Sequence, residues 1–339
     1  MSQYLNELLL RVIYEKLLYR TPSDVELNHW LSIAESGLPW EGLLSRFIDS
    51  DEYKNKSSAR LFYPPGHYYS PIVDPRDIVR NGRIRRDVEP SEIAGIDLSI
   101  ERMRTWWAEN SEIIASTPFP EHEAAGFRYY SENPIFPIGD AVTLRAMIAR
   151  ERPRRIVEIG SGFSSACALD SIDEFKLPTK MTLVEPYTER LMERLRPSDM
   201  DRVDIIESGV QDVDIHIFTS LEIGDILFID STHILKTGSD VNFELFRVLP
   251  LLRSGVMVHF HDMHYPFEYP DDWIITKNLS WNEIYAVRAF LMYNDRFKID
   301  FMNHMFGRFC SEEIRSVFPR FARNVGGSLW LRKVAGQTP

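Results

Sequence analysis

Apolar residues near the start of the chain recur at spacings of three and four. Leu5, Leu8, Leu9, Val12, Leu17 and Leu18 predict one amphipathic helix, with Glu7, Arg11, Glu15 and Lys16 interrupting the stripe. Thr21-Pro22-Ser23-Asp24 ends that helix and opens another, because proline fixes a first-turn dihedral and Ser or Asp caps the exposed N–H groups. The second helix turns Leu27, Trp30, Leu31 and Ala34 inward and stops at Gly37. A third, from about Pro39, carries Leu43, Leu44, Phe47 and Ile48. Residues 1–56 thus read as a compact helical unit, without a nucleophile, metal cluster or phosphate loop.

The pattern then loosens. Residues 57–135 form a connecting and pocket-building region rich in Pro, Tyr and Arg, where the prolines of 61–71 forbid a helix. Five arginines fall between Arg76 and Arg86 and read as a solvated face, with an anion-binding patch as the sharper alternative. Trp106 and Trp107 lie on a helix expected from Leu98 to about Ile114 and read as core.

Residues 136–335 switch to helix–strand alternation, the signature of a parallel sheet with crossover helices. A helix over Gly139–Arg150 precedes apolar, β-branched runs at 155–159, 181–185, 203–207, 225–230 and 256–260. A helix over 281–293, a strand at 298–302 and a last strand within 326–333 complete the pattern. The fold class is therefore α/β with seven strands, preceded by a small all-α domain.

Composition narrows the function classes. Of 339 residues, 39 are Lys or Arg and 50 Asp or Glu, a net charge of −11 that disfavours nucleic-acid or anionic-membrane binding by the whole surface. Two distant cysteines, Cys167 and Cys310, cannot build a disulfide framework or a Cys-rich zinc site. The first residues lack the pattern of a signal peptide, and apolar stretches such as 255–260 are too short to span a bilayer. A cytoplasmic location without membrane insertion is the expectation.

The most informative stretch is Val157-Glu158-Ile159-Gly160-Ser161-Gly162-Phe163-Ser164-Ser165, which follows a strand and opens a helix. Gly160 and Gly162 let the backbone turn tightly and approach a ligand. Ser165 stands where a dinucleotide fingerprint has its third small residue, and Glu158 suits a cationic ligand better than a pyrophosphate. Glu185 closes the next strand, where an acid can accept the hydroxyls of a ribose. Gln211-Asp212 follows the third strand, within reach of an adenine amine, and Asp230-Ser231-Thr232-His233 follows the fourth.

This ordered series of strand-end acids resembles the class I S-adenosylmethionine-dependent methyltransferases, over roughly residues 60–333. Within them it looks most similar to bacterial small O-methyltransferases. The resemblance implies a Rossmann-like sheet of order 3-2-1-4-5-7-6, with the last strand antiparallel. It also implies S-adenosyl-L-methionine held by Glu158, Gly160, Ser161, Gly162, Ser164, Ser165, Glu185, Gln211, Asp212 and Asp230. The first 55 residues, with their Arg20-x-Pro22-x-Asp24 turn, resemble a phycobilisome-linker-like helical domain of unknown function. That likeness implies docking to a protein partner or homo-oligomerisation rather than chemistry.

Methyl transfer needs an acceptor oxygen aligned at about 3 Å behind an already activated sulfonium methyl. An aliphatic hydroxyl also needs a base or a metal to take its proton. His233, three residues past the strand-four acid, is the leading base, with a cap or supporting role as its alternative. His261 and Asp262 end the fifth strand and complete the catalytic set. By position, the resemblance to macrolide-sugar O-methyltransferases implies Asp230, His261 and Asp262 as ligands of a divalent metal. An imidazole–carboxylate pair without metal and a structural cluster stay open. Tyr68, Tyr69, Tyr130 and His264, on irregular aromatic segments, are expected to line the acceptor pocket, the acceptor being a small molecule or a glycan intermediate. A nicotinamide oxidoreductase and a non-catalytic scaffold are the competing readings.

Overall fold

A computed structural model describes residues 3–18, 20–53, 63 and 66–335, side chains from residue 6 onward, and divides into two compact units, Met1–Asn81 and Gly82–Pro339. The expected prolines and rings of 54–62 and 64–65 lie outside the described residues.

In the first unit three helices, α1 (Gln3–Leu18), α2 (Asp24–Glu35) and α3 (Trp40–Asp49), pack around Leu10, Tyr14, Leu18, Leu27, Leu43 and Phe47. Ser23 caps α2 in a reciprocal box with Glu26, as the turn chemistry predicts. The face of α1 differs from expectation. Leu8 and Val12 are exposed, whereas Leu10, Ile13, Tyr14 and Leu18 are buried. Both stripes are apolar, and the one holding Tyr14 wins because its ring meets Phe47 edge-on at 5.2 Å and its hydroxyl accepts from the Trp30 indole at 3.0 Å. Leu44 and Ile48 of α3 are likewise partly exposed rather than core.

The second unit contains a seven-stranded sheet: β1 (Arg155–Ile159), β2 (Lys180–Val184), β3 (Val203–Ile206), β4 (Ile226–Ile229), β5 (Met257–Phe260), β6 (Phe297–Met302) and β7 (Leu329–Lys333). Their order is β3-β2-β1-β4-β5-β7-β6, as expected. Strands β1 to β5 pair in parallel, while β7 inserts antiparallel between β5 and β6. Every residue of β4 and β5 is buried, which fits their unbroken apolar character in a sheet covered on both faces. Helix α4 (Ile138–Glu151) and helix α5 (Phe163–Glu174) lie against each other, α5 being the crossover from β1 to β2. Trp106 and Trp107 are core, at 3% and 1% exposure.

The segment before α4 is fastened by charge. The Arg128 guanidinium is buried and donates to Asp170, Asp173 and Asp199, each at 2.8 Å. Of the five clustered arginines Arg86 is half-buried and the others are solvent-facing, and four pair with acids: Arg76 with Asp74, Arg80 with Asp77, Arg85 with Glu92 and Arg86 with Asp271. After β4 a helix starts at Asp240 and is capped by Ser239. The Asp240 carboxylate accepts from the Thr232 N–H and hydroxyl, at 2.9 and 2.7 Å, and ties down the loop leaving β4. That helix continues as a π turn over Glu244–Val248, which carries Glu244 fully inside.

Candidate active site

The carboxyl ends of β1, β2, β4 and β5 open into a cleft of about 780 Å³. One wall is the β1–α5 turn. Gly160 sits at φ +78°, and a Cβ there would meet the Asp230 carbonyl oxygen at 1.8 Å. Only glycine fits, so β1 and β4 approach closely where the cleft begins. The Ser161 N–H donates to Glu185 at 3.1 Å, and Tyr187 N–H donates to the same carboxylate at 2.8 Å, which aims Glu185 along the cleft wall. The Ser161 hydroxyl lines the cleft, is buried and has no partner. That orphaned donor suits a polar ligand lying on the turn.

The expected cofactor residues divide into two groups. Gly160, Ser161, Gly162, Ser164, Glu185, Gln211 and Asp230 line the cleft. Glu158 and Ser165 lie behind its wall, at 2% and 0% exposure. Glu158 accepts hydroxyl hydrogen bonds from Ser164 and, at 2.6 Å, from Ser165, whose oxygen in turn accepts from the Gly162 N–H. Burial pushes the Glu158 carboxyl up to about 8 despite those bonds. It therefore braces the turn instead of presenting a charge to a ligand, contrary to the sequence reading. Asp212 is exposed and also outside the cleft lining, while Gln211 donates to the Gly238 carbonyl at 3.1 Å.

The other wall gathers the catalytic candidates. His233 and Asp262, just past β4 and β5, both hold left-handed backbone at φ 61° and 57°. Non-glycine residues rarely adopt that region, and such strain concentrates at functional sites. His233 Nε2 lies 3.5 Å from an Asp230 oxygen and 3.4 Å from an Asp262 oxygen. On its other side Nδ1 is 2.8 Å from Glu283, and Trp281 packs on the ring at a centroid distance of 4.4 Å. Burial would depress the His233 pKa, but Asp230, Glu283 and Asp262 together raise it well above the usual imidazole value. His261 and His233, with Arg190, hold Asp230 below its usual range against the opposing effect of burial. Burial pushes Asp262 up.

His261 faces the same cluster with Nε2 3.5 Å from Asp262, and Asp230, Asp262 and Asp140 lift it to about 9 against burial. Behind it, Asp140 is fully buried and accepts from Asn303, Ser328 and the Gly327 N–H. Among the described residues, one set of three donors, Asp230, His233 and Asp262, has ligand atoms within 4.8 Å of one another. This differs from the set carried over by position, because His233 and not His261 joins the two acids. Two carboxylates and one imidazole fit a divalent cation, manganese, iron or zinc ahead of magnesium. His233 also meets the usual arrangement in which a ligating imidazole gives its other N–H to a carboxylate.

The expected acceptor residues are scattered. Tyr68 and Tyr69 belong to the first unit, are 83% and 65% exposed, and are not among the residues lining the cleft. Tyr130 sets its ring edge-on against Phe163, and His264 packs edge-on against Trp273, each partner being a cleft residue. The aromatic residues lining the cleft are instead Phe136, Phe163, Tyr187, Trp273 and Trp281. Glu283, Glu244 and Asp140 were missed by sequence reasoning. They sit within helical patterns, and only the unusual placing of an acid on an otherwise apolar helix face marks them.

Residues 157–263 match the family described as methyltransferase domain. An uncharacterized protein of Archaeoglobus fulgidus is 37% identical over 180 residues, a match that covers 47% of this chain and 74% of the relative. Solved structures with a similar layout include an SAH-bound methyltransferase of Podospora anserina, 17% identical with a TM-score of 0.38, covering 68% of this chain and 88% of that one. Another is the CmcI-N160 apo-structure, 17% identical with a TM-score of 0.39, covering 82% and 99%.

Proposed function

We propose that this methyltransferase, which belongs to the same family as its archaeal relative, moves the methyl group of S-adenosylmethionine onto a hydroxyl oxygen of a small-molecule acceptor. The observation that carries the reading is the joining, in one cleft, of a glycine-tight strand–helix turn with three convergent proton- and metal-competent side chains. Glu185 takes the ribose hydroxyls, and Gln211 stands at the adenine end. Asp230 faces the positive sulfonium side, where its ionised form is favoured. Glu158 contributes through Ser164 and Ser165, by keeping the turn in shape.

His233 as a base is limited by its neighbours. Surrounded by three carboxylates it holds a proton, and an imidazolium has no lone pair to offer. It can act on a hydroxyl only once the Nε2 proton has been displaced. Asp230, His233 and Asp262 would hold a divalent cation, which when bound would lower the pKa of an acceptor hydroxyl. With no cation bound, Asp262, made more basic by burial, is the carboxylate suited to receive the hydroxyl proton. Trp273 and Trp281 exclude water and offer flat faces to a hydroxylated ring, which supports a sugar or glycan intermediate as the acceptor.

The test is transfer of label from methyl-labelled S-adenosylmethionine to a panel of sugar and phenolic hydroxyls, with manganese, with magnesium and with chelator. Labelled ether product that falls at least a hundredfold in Asp262→Ala supports the assignment. Full turnover in that variant would remove Asp262 from the mechanism.

A further inference from the structure

We propose that Glu283 is a positioning residue, which locks the His233 ring so that Nδ1 keeps its proton and Nε2 alone faces Asp230 and Asp262. The inference goes beyond the reaction assigned above, and it rests on that reading only in taking His233 as part of the reacting site.

Three independent contacts point the same way. The Glu283 carboxylate lies 2.8 Å from Nδ1 at 1% exposure, so no water competes for that nitrogen. The main-chain N–H groups of Asn282 and Glu283 both donate to the His233 carbonyl at 3.1 Å. The Asn282 side chain clasps the next turn of the loop, accepting from the Leu235 N–H at 2.6 Å and donating to its carbonyl at 3.2 Å. Helix α6 (Glu283–Leu291) therefore begins as a clamp on the loop that follows β4. The clamp holds His233 in its left-handed conformation while Trp281 closes the exposed face of the ring.

A second buried acid, Glu244, interacts with Glu283. Glu244, carried inside by the π turn, is fully buried and accepts only from Ser231, at 3.2 Å. Burial and the neighbouring Glu283 and Asp240 charges push it well toward the neutral acid. The other Glu283 oxygen and one Glu244 oxygen have no partner, which leaves the Nδ1 bond as the interaction that orients Glu283.

The proposal is tested on the metal-free full chain by imidazole proton and ¹⁵N spectra, with the His233 signal assigned by its loss in His233→Ala. A downfield Nδ1–H resonance is expected in the native protein. Glu283→Gln, nearly the same shape without the charge, should lose it and weaken Mn²⁺ binding roughly 10–100-fold. Glu283→Asp should keep the resonance and restore most of the Mn²⁺ affinity. S-adenosylhomocysteine affinity should stay within twofold in both variants. An unchanged resonance in Glu283→Gln overturns the proposal, as does a parallel loss of S-adenosylhomocysteine binding, which marks a merely structural role. Should Glu283→Gln not fold, the charged Asp variant decides: a retained resonance supports the lock and its absence overturns it. Failure of the native protein to bind Mn²⁺ counts against the metal reading alone, because the Nδ1 resonance reports the lock without a metal.

Discussion

Gly160, Glu158 and His233 each do something that residue type alone half reveals. Gly160 was legible as a turn glycine, and its contact with the Asp230 carbonyl gives the reason. Gly160→Ala should cost about 2–4 kcal/mol of stability and abolish S-adenosylhomocysteine binding, read by thermal unfolding and titration. Glu158 was legible as important but not as buried, since nothing in Glu-x-Gly-x-Gly says which way the carboxylate turns. Its folded pKa of about 8, against 4.5 when unfolded, means that the native state holds the proton more tightly. That stabilisation is complete below about 4.5 and is lost as pH rises to about 8. Glu158→Gln should therefore flatten the fall in stability across that window, as denaturant titrations at several pH values would show. His233 was found by its place after β4, but its partner Glu283 lies 50 residues on and follows from no local pattern.

Among the elements, the strands were readable because β-branched apolar runs between glycines and prolines leave few alternatives. Their ends came within one residue of expectation at β1 and β3. Helix faces were harder. Two apolar stripes on α1 compete, and only the tertiary partner Phe47 decides between them. The loop before β7 is another case. Gly326 and Gly327 lie so close to Asp140 and Asp262 that a Cβ on either would clash, a crowding set by the late antiparallel strand. Arg128, two residues before Tyr130, fastens its segment to α5 through Asp170 and Asp173 and to the turn at Asp199. Arg128→Ala strands buried carboxylates and should destabilise the second unit by about 3–5 kcal/mol in denaturant unfolding.

At the scale of the molecule, helix–strand alternation made a parallel sheet legible, and its order followed from the resemblance that the series of acids at successive strand ends carries. Parallel strands gather those ends on one edge, and the chain places its ligand-facing groups there. The part that Trp273 and Trp281 play in the cleft was not legible, because they come from the segment 273–281, whose turns have no repeating pattern. The residues lining the cleft fall between 134 and 281, so removing residues 1–81 should leave S-adenosylhomocysteine affinity within twofold by titration. No helix among the described residues is long and apolar enough to cross a membrane.

The most direct measurement is isothermal titration of the intact chain with S-adenosylhomocysteine and, separately, with NAD⁺, repeated on Glu185→Ala. Saturable one-to-one binding of S-adenosylhomocysteine that falls at least tenfold in the variant, with no heat from NAD⁺, is the expected result. Tight NAD⁺ binding with none of S-adenosylhomocysteine, or equal affinity in Glu185→Ala, would contradict the assignment of the cleft.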